Sequence, residues 1–74
     1  MFEKVKNLII ETLNKDGHAI TEDTDLIVDL ELNSLEIAEL VCAFENEFNI
    51  EIPDRDISKF RVIHDIVDYL ENSL

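Results

Sequence analysis

The sequence predicts an all-α fold: a small bundle of three main helices plus one short helix, with a long loop between helices one and two. Three observations carry this prediction. Apolar residues recur at helical spacing in three separate segments. The 74 residues include a single glycine and a single proline. Apolar residues make up 46% of the chain, which favours a packed core over a disordered tail. Residues 1–74 are expected to form one domain, and a chain this short buries only about 60–65% of its unfolded surface.

Helix one is expected from Phe2 to Asn14, where Phe2, Val5, Leu8, Ile9 and Leu13 keep the i, i+3, i+4, i+7 spacing of one apolar stripe. Asn14, Lys15, Asp16 and Gly17 then supply breaker chemistry. From Gly17 to Leu32 the periodicity fails. A polar cluster, Thr21 to Asp25, precedes the apolar run Leu26, Ile27, Val28 and Leu30. A loop whose apolar residues tuck over the bundle fits best, with a helical turn near Leu26. A strand over Leu26 to Leu30 is the competing reading, with no second strand to pair with.

Helix two is expected from Ser34 to about Asn49. Asn33 lies three places before Glu36 and opens an apolar-periodic run, a variant of the capping box. Ile37, Val41, Phe44 and Phe48 form its core face; Glu36, Glu39, Ala43 and Glu47 share another side, flanked by Leu35, Ala38, Cys42 and Glu45. Pro53 interrupts an extended link from Ile50 to Asp54. Asp54 then reads as the N-cap of a short helix from Arg55 to about Lys59, with Ile57 and Phe60 turned inward. A last helix from Val62 to about Asn72 buries Ile63, Ile66, Val67 and Leu70.

The formal net charge of −12 is concentrated in the middle of the chain. Between Asp16 and Asp54 there are twelve Asp or Glu residues and no Lys or Arg. Such a field repels nucleic acid and anionic lipid and speeds encounter with basic protein surfaces. No apolar run approaches the ~20 residues of a membrane span. The start, Met1-Phe2-Glu3-Lys4, lacks a signal-peptide core, so the chain reads as soluble and cytoplasmic. A lone cysteine, Cys42, excludes an intrachain disulfide. A calcium loop starting at Asp23 fails at its sixth and twelfth positions, Val28 and Ser34, so no metal site is expected.

Ser34 is the residue with chemistry to offer. The first turn of a helix leaves N–H groups unpaired at the positive end of the dipole, which suits an attached phosphate ester. Nothing in the chain activates this serine: the nucleophile-elbow glycines are absent, and His18 and His64 form no motif with it. Ser34 therefore reads as another enzyme's substrate, and the chain as no enzyme.

Asp29-Leu30-Glu31-Leu32-Asn33-Ser34-Leu35-Glu36, followed by Ala38, Glu39, Leu40 and Val41, resembles the acyl carrier protein signature. Phe48-Asn49-Ile50-Glu51-Ile52-Pro53 resembles the segment after helix two in that family. The family's order before the serine is Leu, Gly, any residue, Asp, so Glu31 and Asn33 replace the glycine and the aspartate. The resemblance implies an acyl-carrier-like bundle in which Ser34 bears 4′-phosphopantetheine from coenzyme A. Its thiol would carry acyl intermediates as thioesters in fatty-acid or related biosynthesis. The partners implied are a phosphopantetheinyl transferase and acyl-transferring and chain-modifying enzymes with basic docking surfaces. Glu36 and Glu39 match family positions that contact partners, and Leu35 and Cys42 match apolar positions of the same surface. With Asn33 and Glu45 at its border, these form the expected partner-binding set on a monomer. Two alternatives stand beside this reading: an unmodified acidic module that binds a basic partner, with Ser34 only a capping residue, and a dedicated polyketide, nonribosomal-peptide or envelope carrier.

Overall fold

The computed structural model describes residues 1–15 and 20–74. Expectations for Asp16, Gly17 and His18 lie outside these residues. Among the described residues four helices follow in order: α1 (Phe2–Leu13), α2 (Ser34–Phe48), α3 (Asp54–Ile57) and α4 (Ile63–Ser73). The all-α expectation holds, with three main helices and one short one. Helix α1 packs against both α2 and α4. Val5 and Ile9 of α1, Leu40, Val41 and Phe44 of α2, and Ile63, Ile66, Val67 and Leu70 of α4 meet in one core with Ile20, Leu26, Leu32 and Ile52. Among the described residues no helix is long and apolar enough to cross a membrane.

Asparagines end the two longest helices. Asn14 and Asn49 stand in the left-handed region at φ 53° and 55°, a conformation asparagine tolerates better than most residues. Leu40 is buried although the sequence reading left it off the core face of α2. It lies three residues after Ile37 and four before Phe44, so the buried stripe is wider than the line through Ile37, Val41, Phe44 and Phe48. Helix α3 begins one residue earlier than expected, because the Pro53 carbonyl, not the Asp54 side chain, accepts the N–H groups of Asp56 and Ile57. Helix α4 begins at Ile63, one residue late, where the Asp65 carboxylate accepts the N–H groups of Arg61 and Val62.

The segment from Ile20 to Leu32 is strapped to the start of α4. Leu26 N–H donates to the Arg61 carbonyl at 2.8 Å, Ile63 N–H to Thr24 at 3.0 Å and His64 N–H to Glu22 at 2.9 Å. The competing strand reduces to one antiparallel bridge, Asp25 with Val62. Asp25 folds the turn that follows: its carboxylate accepts the N–H groups of Ile27 and Val28, each at 2.9 Å, and the Arg61 guanidinium at 3.2 Å. That curl sends Leu26 inward and leaves Ile27 54% and Val28 71% exposed, a correction to the expectation that the whole apolar run tucks over the bundle.

Two titratable groups of this strap give stability opposite pH slopes. The Val28 N–H, with Ile27 and Arg61, holds the Asp25 carboxyl below its usual 3.8. Its contribution is present above that unfolded value and is lost as pH falls through the lower folded one. His64 is raised above 6.5, chiefly by its bond to Glu22 at 3.2 Å. Its contribution is complete below 6.5 and is lost as pH rises through the folded value. The melting temperature is thus expected to decline from about pH 6 to about pH 8. His64→Gln should flatten that decline, and an unchanged slope in thermal scans would refute the assignment.

Candidate prosthetic-group attachment site

The site lies where the strapped loop enters α2, and Asn33 builds it. Asn33 has extended backbone geometry, φ −94° and ψ 178°. Its side-chain oxygen accepts the Glu36 N–H at 2.8 Å while the Glu36 carboxylate accepts the Asn33 N–H at 3.1 Å. This reciprocal box fixes where the helix starts and makes Ser34 its first residue. A box of this kind contributes about 1 kcal/mol.

Ser34 is exposed. The other two serines are occupied: Ser58 Oγ donates to the Arg55 carbonyl and Ser73 Oγ to the Tyr69 carbonyl, at 2.9 and 2.8 Å. No group among the described residues engages the Ser34 hydroxyl. The N–H groups of Ser34 and Leu35, at the first two helical positions, are ones the helix itself leaves unpaired. A free hydroxyl and free donors therefore share the positive end of a 15-residue helix.

The six residues expected to meet partners divide into two groups. Leu35, 67% exposed, Glu39 and Cys42 stand on the outer face of α2, with Ala38 and Asn46, opposite Phe44. Asn33 and Glu36 are taken up with capping. Glu45 is half-buried, and its carboxylate accepts the Ile52 N–H at 2.8 Å, which ties the link after α2 back onto the helix. The outer face is consequently more apolar than the sequence reading implied.

Glu31 was noted in the sequence only as the replacement of a glycine. In the structure it has φ 55°, a left-handed conformation that glycine adopts freely and that costs another residue about 1 kcal/mol. The sequence signal for this was the family pattern itself, whose glycine falls at this position.

The family described as "Phosphopantetheine attachment site" matches residues 3–70. An acyl carrier protein from Thermotoga maritima is 42% identical over 74 residues, covering all of this chain and 91% of its own length. One from Campylobacter lari is 40% identical, with 97% and 94% covered. The chain belongs to the acyl carrier protein family. Its structure agrees: a solved Mycobacterium tuberculosis chain assigned as an acyl carrier protein superposes with a TM-score of 0.90 at 27% identity, over 99% of this chain and 97% of that one.

Acyl carrier proteins are carriers and not enzymes, and their prosthetic group is 4′-phosphopantetheine. They work with a phosphopantetheinyl transferase and with acyl-handling enzymes. The first turn of α2 fits such a group: it offers an unengaged hydroxyl for the ester, unpaired N–H groups for a phosphate, and an exposed position for a long arm.

Proposed function

We propose that Ser34 is the residue that bears 4′-phosphopantetheine, and that residues 1–74 act as a single, monomeric carrier domain in the cytoplasm. One observation carries this reading. Of the three serines, only Ser34 keeps its hydroxyl clear of the backbone, and it does so at a helix start. The group supplies a thiol on which acyl chains travel as thioesters. Tethering raises their effective concentration at each docked active site. The chain holds the ester at the helix end and presents the arm to solvent. Leu35, Glu39 and Cys42 offer the docking face, while Asn33, Glu36 and Glu45 hold its shape. Fatty-acid synthesis is the pathway favoured, on the strength of relatives named simply acyl carrier protein.

Incubation with coenzyme A and a broad-specificity phosphopantetheinyl transferase tests the assignment. The intact mass should rise by one phosphopantetheine, and peptide mapping should place it on Ser34. A folded chain that gains nothing beside an active transferase would overturn the proposal, as would a modification on Ser58 or Ser73.

A further inference from the structure

The structure sorts the acidic residues around the attachment site into those that hold the fold and those left for something else. Glu22 is paired with His64. Asp25 binds the turn and Arg61. Asp29 accepts the Asp25 N–H at 2.7 Å, and Glu36 completes the cap. The carboxylate of Glu31 is engaged by nothing among the described residues, and the residue is exposed. Of the two acids nearest Ser34 in sequence, Glu31 and Glu36, Glu31 is the one whose carboxylate makes no bond among the described residues.

Asn33, immediately before the serine, is neutral and turned onto the cap. From residue 16 to residue 54 the chain has no Lys or Arg to neutralise a free carboxylate. Glu31 also keeps its side chain at a left-handed backbone position that glycine would occupy with less strain. A charge held there at local cost, three residues before the modified serine, points outward to a cation on another molecule.

We propose that Glu31 is a specificity-determining residue: its exposed, unengaged carboxylate pairs with a Lys or Arg side chain of the phosphopantetheinyl transferase and steers Ser34 into that enzyme's site. The inference rests on Ser34 as the attachment residue. A rim charge of this kind acts mainly on association and is weakened by salt.

Initial rates of phosphopantetheine loading, measured on the full chain with coenzyme A, test it. Glu31→Gln keeps the side chain's length and removes its charge, and kcat/KM should fall about three- to tenfold at low salt, mainly through KM. The gap should close near 1 M salt, where the screening length is about 3 Å. Glu31→Gly should load as slowly as Glu31→Gln while melting at a higher temperature, because the backbone strain is gone. A slower but more stable variant separates recognition from folding. Glu71→Gln removes the same net charge from an exposed position on α4 and should load at the natural rate. Glu31→Gln loading as fast as the natural chain, or Glu71→Gln slowed as much as Glu31→Gln, would overturn the proposal. A natural chain that takes up no phosphopantetheine would overturn Ser34 as well, so the two failures are distinguishable.

Discussion

Ser34→Ala is expected to accept no phosphopantetheine at all, while its melting temperature stays within about 4 °C of the natural chain. The loss is complete because, with Ser34 as the proposed attachment residue, its hydroxyl oxygen is the atom that would form the ester, and no neighbouring group replaces it. The fold is spared for a separate reason. The hydroxyl is exposed and unengaged, and the cap belongs to Asn33 and Glu36. A surface change of this kind stays within about 0.5 kcal/mol, and in a domain of this size 1 kcal/mol moves the midpoint by roughly 4–8 °C. Ser58→Ala makes the contrast: it removes a hydroxyl that holds the Arg55 carbonyl and should still load fully. Mass spectra and thermal scans of both variants decide the matter. A Ser34→Ala chain that loads, or one that unfolds, would contradict this account of the site.

The start of α2 was legible in the sequence because its determinants are local. Asn33 and Glu36 are three residues apart and satisfy one another, so their spacing alone places Ser34 in the first turn. The buried positions of α4 were legible too, since Ile63, Ile66, Val67 and Leu70 repeat at helical spacing with few apolar competitors. What escaped was decided across the chain. No periodicity reveals that Leu26 donates to Arg61, 35 positions on, or that Glu22 reaches His64. These contacts decide which apolar loop residues point inward, and so Ile27 and Val28 were assigned to the wrong side. The bond made by Glu45 escaped in the same way: on the helix it resembles any outward acid, and only the return of the link brings the Ile52 N–H against it. The candidate docking surface was thus legible as a stretch of charge. The division of that charge between fold and partner needed the structure.

Phe44→Ala is expected to be the most damaging single change in the core, costing about 3–5 kcal/mol. Phe44 is the largest fully buried side chain, 1% exposed. It lies nine residues after Leu35, half a turn around α2 from the outer face, so it anchors the helix whose other side is the proposed docking face. At roughly 0.05–0.15 kcal/mol per residue, 74 residues provide about 4–11 kcal/mol in all. Mutual repulsion along the acidic middle of the chain acts against that total. The melting temperature should fall by at least about 12 °C. At low ionic strength a substantial fraction should be unfolded, whereas added salt screens the repulsion and restores folded chain. Loading should follow the folded fraction, because Ser34 is presented in its exposed first-turn geometry only when α2 is docked on α1. Circular dichroism and loading rates measured together across a salt series should therefore rise in step. Loading that persists in a chain without helical signal would mean that the transferase reads the Ser34 segment as an extended peptide. The capping geometry at Asn33 and Glu36 would then have no part in recognition.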